Sequence, residues 1–199
     1  MSVSVKAQEE LISGSEIIKK VLLKNKELDD FSVKFKSKVY LNFVIIPLEG
    51  EIYFKKPDKF KLKFTNIPDI LKNQQKNFRD VVPGAEKYNP KLCKFLKTYE
   101  KNSQTLILIE VRPDKKQNLK KTLLWINEKS LNPDYVILEY NDEGIIEIEN
   151  EFDQEMTFSL PKNQKIKFKL VNFNCKAKID YHNYKINQGI SDEVFKYKQ

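Results

Sequence analysis

Apolar residues alternate with lysine over long stretches of this chain, and a period of two is the repeat of a strand with one buried and one solvated face. Phe31, Val33, Phe35, Val39, Leu41, Phe43 and Ile45 alternate with Ser32, Lys34, Lys36, Lys38, Tyr40 and Asn42, which reads as one long strand. Leu48, Gly50, Ile52 and Phe54 continue the pattern, and a turn at Lys56-Pro57-Asp58 leads to Phe60, Leu62 and Phe64, set against Lys59, Lys61 and Lys63. Further strands are expected at Thr105–Val111, Thr122–Asn127, Tyr135–Tyr140, Ile145–Glu149, Met156–Leu160, Ile166–Leu170 and Lys176–Ile186. All of these strands are read as joined by connections too short for a parallel crossover, so the sheet is expected to be antiparallel. About ten strands in one sheet must curl, split or close.

The apolar face of such a sheet needs a cover. Ser13 and Glu16 have the spacing of a capping box, with Ile12 and Ile17 placed as a staple. From Gly14 to about Leu28, the residues Ile17, Ile18, Val21, Leu22 and Leu28 lie on one side of a helix. In Asn66–Asn102, Pro68, Pro83 and Pro90 interrupt the pattern, and Ile70 and Leu71, then Leu92, Phe95, Leu96 and Tyr99, have helix-like spacing. That segment is expected to form short helices and loop. The predicted fold class is α+β, mainly antiparallel β: a strongly curved sheet or incomplete barrel with helices across its concave face. One domain is expected over residues 1–199, with a flexible N-terminus over 1–12 and residues 66–102 as a lid.

Thirteen Phe and nine Tyr give the chain ample surface to bury, so it is not a disordered chain. A net charge of +8 suits an anionic partner, yet only Arg79 and Arg112 supply the planar fork on which base readers depend, so no nucleic acid is expected. The lysine spacing is the ordinary solvated face of a half-buried sheet, and the same spacing would also make a basic surface. Cys93 and Cys175 stand 82 positions apart (175 − 93) beside a single histidine, His182, so neither metal nor cofactor is expected. His182 falls on the polar register, no nucleophile elbow or phosphate loop is present, and a non-enzyme follows. Glu110, Glu139, Glu147 and Glu149 fall on the polar register too, where they are expected to pair with lysines. No apolar run reaches the length of a membrane-spanning helix.

The functional question therefore rests on the apolar register. Phe35, Val39, Phe43, Ile52, Phe54, Phe60, Leu62 and Phe64 are the candidate lining of a hydrophobic ligand site, or else plain core. Burying an acyl chain is worth about 0.8 kcal/mol per methylene, so a partly filled groove would suffice to hold one.

Two segments resemble a known family. Glu49–Phe64, with Gly50, Ile52, Pro57, Phe60 and Leu62, is similar to the G-x-hydrophobic-x4-P-x-x-F-x-hydrophobic signature of the LolA/LolB-like superfamily of periplasmic outer-membrane lipoprotein carriers. Ile179–Phe195 resembles that family's last strand and N-x-x-I-x-D-x-x-F tail, here Asn187, Ile190, Asp192 and Phe195. The chain departs from the family in Asn66–Asn102, where such carriers have further strands. The resemblance implies carriage of lipid or lipoprotein acyl chains in a cavity beneath a helical lid, by a monomeric periplasmic or extracytoplasmic protein whose signal peptide has been removed. It implies membrane-associated donor and acceptor proteins as further partners. A sensor or interaction module binding a peptide or partner protein on the same fold is the alternative, and a binder of anionic surfaces acting through the lysines is a third.

Overall fold

The computed structural model describes residues 13–68, 88–101, 103–114, 118–171 and 173–196. Among them are one α-helix, α1 (Gly14–Lys24), and ten strands: β1 (Asp30–Leu41), β2 (Val44–Lys55), β3 (Lys59–Asn66), β4 (Cys93–Lys101), β5 (Gln104–Val111), β6 (Leu119–Asn127), β7 (Pro133–Tyr140), β8 (Gly144–Phe152), β9 (Pro161–Leu170) and β10 (Phe173–Ile186). All ten form one antiparallel sheet in the order β3-β2-β1-β10-β9-β8-β7-β6-β5-β4. The sheet is open, with β3 and β4 at its edges.

Curvature follows from what the sheet buries. Nine spacings of about 4.8 Å set the outer strands of a flat sheet roughly 43 Å apart, while eleven helical residues reach only about 16 Å. Even so, Ile17, Ile18 and Val21 of α1 share one core with Ile46 and Leu48 of β2 and with Ile107 and Ile109 of β5. The ends of the helix also reach both flanks, Gly14 standing against Phe95 of β4 while Lys56, just past β2, donates to the Asn25 and Lys26 carbonyls, and so short a helix can do this only if the sheet wraps around it. The N-terminus of α1 lies on β4: a Cβ at Gly14 would stand 2.5 Å from the Phe95 nitrogen, so only glycine permits that approach. Its other end is tied to the sheet by Lys24, whose Nζ donates to the Ser130 carbonyl at 2.9 Å and to Asn132 Oδ1. Asn25 Oδ1 accepts from the Ser159 amide at 2.9 Å.

Four expectations are corrected. Ser13 is the N-cap, but it receives the Glu16 and Ile17 amides on its carbonyl and its side chain caps nothing; the helix ends at Lys24, and Ile12 lies outside the described residues. The long first strand is a hairpin that turns at Asn42-Phe43, where Asn42 takes φ 50, a conformation asparagine tolerates. Cys93–Lys101 is a strand and not a helix. A bulge at Leu96 between the pairs Phe95↔Ile109 and Lys97↔Leu108 adds a residue and flips the faces, which leaves apolar residues at helix-like intervals. The part of the expected lid that includes Ile70, Leu71 and Pro83 lies outside the described residues. Met156–Leu160 belongs to no strand; it joins β8 to β9 and buries Leu160 completely without a ladder.

Candidate functional site

The inward face is built row by row. One row crosses nine strands in register, from Ile46 through Val39, Ala177, Ile166, Ile148, Val136, Leu124 and Ile109 to Phe95. Every member except Phe95 is buried. The next row runs Cys175, Phe168, Ile146, Leu138, Thr122, Val111 and Cys93, which puts the two thiols at opposite ends of one row. Both cysteines are free, and burial pushes their pKa up, to about 11 for Cys93 and about 12 for Cys175.

Seven of the eight residues singled out from the sequence share the inward face of β1–β3. Phe35, Val39, Ile52 and Phe54 are buried, whereas Phe60, Leu62 and Phe64 of edge strand β3 are half-buried. Phe54 stacks on Phe31 with ring centroids 5.3 Å apart, and Phe35 meets Phe64 edge-on at 5.8 Å across Gly50. Phe43 does not join them. It stands in the hairpin turn with 104% relative exposure, because the turn ends the alternation on which its inward placement depended.

Sequence reasoning stopped at the first three strands and so missed the larger share of the face, from Ile109 to Phe168. The same period-two signal was present there, and it points those side chains into the core that α1 shares. At the centre the rows are buried; on β3 the apolar residues Phe60, Leu62 and Phe64 are only half-buried, and Ile67 and Tyr88 are partly buried against the same core.

Polar groups on this face are satisfied among themselves. Tyr181 donates its hydroxyl to Gln164 Oε1, Gln164 donates to Asn150 Oδ1 at 2.8 Å, and Asn150 donates to the Pro133 carbonyl at 2.6 Å. Burial raises the pKa of Tyr181 and, with the neighbouring Tyr181 phenolic oxygen, that of Tyr184, so both remain protonated donors. Among the described residues no buried side-chain nitrogen or oxygen lacks a partner, and no group of three His, Cys, Asp or Glu could hold a metal ion. His182 lies opposite the exposed Lys34 on the convex side, away from this face. A surface of this kind discriminates by shape and apolar area, and its buried polar side chains are already partnered among the described residues.

The convex face is organised differently. Glu139 pairs with Lys120 and Lys121, Glu147 with Lys167 and Lys169, Glu149 with Lys165, and Glu110 with Arg112. Hydrogen bonds from these lysines hold the Glu139 and Glu147 carboxyls below the usual carboxylate range. Among the described residues no helix is long and apolar enough to cross a membrane.

No protein-family model matches the sequence, and no curated protein is similar to it in sequence. Solved structures are similar in fold. A LolA superfamily protein from Nitrosomonas europaea superposes with a TM-score of 0.70 at 14% identity, covering 94% of this chain and 98% of its own. An outer membrane lipoprotein-sorting protein domain from Vibrio parahaemolyticus gives a TM-score of 0.68 at 10% identity over 92% and 95% of the two chains. A DUF1329 family protein from Desulfovibrio piger gives 0.66 at 10% identity over 92% and 96%. The chain thus has the fold of the LolA-like proteins over nearly its whole described length, at sequence identities that speak to the fold alone.

Proposed function

We propose that this chain is a non-catalytic binding or carrier protein for a hydrophobic ligand, a lipid or the acyl chains of a lipoprotein, held on the concave face beside α1. The observation that carries the reading is the apolar row of Phe60, Leu62 and Phe64, left half-covered at the edge of a largely buried apolar face in a chain with the LolA-like fold. A chain of about ten methylenes laid along it would gain on the order of 8 kcal/mol before the costs of ordering. The reading places the protein outside the cytoplasm as a monomer that takes its ligand from one membrane-associated protein and yields it to another.

Lipid extraction followed by mass spectrometry, and enhancement of a fluorescent acyl probe, test it directly. Leu62→Asp is expected to abolish probe binding, because it sets a carboxylate where methylenes would lie. Lys63→Asp, one residue away on the exposed register, is expected to leave binding intact. Equal binding by both variants, or none by the parent protein, overturns the proposal. Peptide capture indifferent to lipid would instead support the interaction-module alternative.

A further inference from the structure

Six large hydrophobic residues are exposed among the described residues, and four of them gather at one end of the sheet. Phe43, Val44 and Ile45 form the tip of the β1–β2 hairpin, with relative exposures of 104%, 58% and 58%, and Val171 stands in the β9–β10 turn at 76%. Register makes these tips neighbours. Tyr40 of β1 lies opposite Lys176 of β10, and Phe43 and Phe173 each follow three residues further on, so both hairpins project roughly 10 Å beyond that pair.

Behind the tips the convex face carries like charges set against each other. Lys178 lies between Lys38 and Lys165 on the neighbouring strands, and Lys176 lies opposite Lys167. Like charges directly opposite each other destabilise a sheet. On β9 the cost is offset, since Glu147 and Glu149 reach Lys165, Lys167 and Lys169. No described carboxylate forms a salt bridge with Lys38, Lys176 or Lys178; Lys178 instead stands 5.9 Å over the Tyr40 ring. A face that only had to stay hydrated would interleave the two signs.

We infer that this end of the sheet docks on an anionic lipid surface, with Phe43, Val44, Ile45 and Val171 entering the interface and Lys38, Lys176 and Lys178 meeting the headgroups. Interfacial elements sink about 5–10 Å, which brings Lys176, some 10 Å behind the tip, to the headgroup level. Lys38 and Lys178 sit two residues further back and reach forward on flexible stems. Asp142 and Glu143, in the adjacent β7–β8 turn, carry the opposite charge. An anionic surface repels them, so the molecule should tilt onto its β1–β2 side. Point-charge lysines around a greasy tip suit lipid phosphates and do not read bases. The inference goes beyond the carrier reading and does not depend on it.

The test is co-sedimentation of the full chain with vesicles of phosphatidylcholine alone or of an equimolar mixture with phosphatidylglycerol, at low and high salt. The protein should bind the mixed vesicles, bind less at high salt, and largely ignore phosphatidylcholine. The double variant Phe43→Ser/Val171→Ser should lower partitioning by about tenfold or more, and the triple variant Lys38→Gln/Lys176→Gln/Lys178→Gln should lower it by about tenfold or more and flatten the salt dependence. Leu23→Ser, which removes an exposed apolar side chain from α1 instead, should change nothing. All these positions are exposed, so unchanged thermal unfolding serves as the folding control. Absent vesicle binding, or tip variants that bind like the parent, overturns the inference. Acyl-probe binding is measured on the same variants: a chain that binds vesicles but no probe retains this inference and loses the carrier reading, and the reverse result does the opposite.

Discussion

Gly50 has no side chain because its neighbours fill the space. A Cβ there would stand 2.3 Å from the Lys63 carbonyl oxygen and 2.7 Å from two atoms of the Phe35 ring. The ring lies flat across the glycine to reach Phe64, so the second residue of the Glu49–Phe64 motif is what allows an aromatic pair to span three strands. Gly50→Ala must displace either backbone or a buried ring, and a cost of roughly 1–3 kcal/mol or more is expected for such overpacking. Urea unfolding of the purified variant measures it. A midpoint equal to that of the parent would show that Phe35 can move away freely. The rest of that motif is explained in the same way: Ile52 and Leu62 face each other across β2 and β3, as do Phe54 and Phe60.

At the scale of elements, the strands were legible wherever period two ran unbroken, and misread wherever a local device interrupted it. The bulge at Leu96 made a strand look helical, and the turn at Asn42-Phe43 hid inside an unbroken alternation. A third device, at Asn183 with φ 59, lies between the pairs Ser32↔Lys185 and Lys34↔His182 and returns Tyr184 to the inward side after Tyr181. None of these is visible in composition, since each depends on which residue the neighbouring strand leaves unpaired. The C-terminal tail shows the opposite case, a motif that was legible before its purpose was. Asn187 receives the Asp29 amide on Oδ1 at 2.8 Å and donates Nδ2 to the Glu27 carbonyl at 2.7 Å. Asp30, buried at the start of β1, accepts the amides of Gln188, Gly189 and Ile190. Asp192 then pairs with Lys55 and Lys59, so the tail straps β1 to the β2–β3 hairpin. Hydrogen bonds from Lys55 and Lys59 hold the Asp192 carboxyl down to about 2, below its ordinary value of 3.8. A depressed carboxyl stabilises the fold above its unfolded pKa and loses that contribution as pH falls through the folded value. The difference in urea midpoint between the parent and Asp192→Asn should therefore be constant above pH about 4, shrink below it and vanish near pH 2. Because the pair is exposed, the difference should also be small and sensitive to salt. A difference that persists unchanged at pH 2 would mean that the side chain acts by something other than its charge.

For the whole molecule, the two faces of the sheet exchange the importance that the sequence suggested for them. The apolar face is mostly core: its central rows are buried, and half-covered aromatic surface remains on the edge strands, at Phe60 and Phe64 of β3 and Phe95 of β4. The lysine face, which looked like ordinary solvation, has unpaired like charges concentrated next to exposed hairpin tips. Joined together, these features describe a wrapped sheet whose open flank adjoins the end that would meet a membrane. The inward pairs Leu41↔Val44 and Val39↔Ile46 run from that tip into the core, so an acyl chain arriving at the surface would meet apolar contacts continuously on its way in. A ligand that binds only the folded chain stabilises it by RT ln(1 + [L]/Kd), about 2.7 kcal/mol at a hundredfold excess over Kd. For a chain of this length each kilocalorie raises the unfolding midpoint by about 2–4 °C, which gives a rise of roughly 5–10 °C on saturation with a single-chain lysophospholipid. Thermal scans with lysophospholipids of increasing chain length measure it: the rise should grow with each added pair of methylenes until the half-covered row is filled, then level off. A short-chain homologue that shifts the midpoint as far as a long one would place the interaction at the headgroup and leave Phe60, Leu62 and Phe64 as an exposed margin of the core.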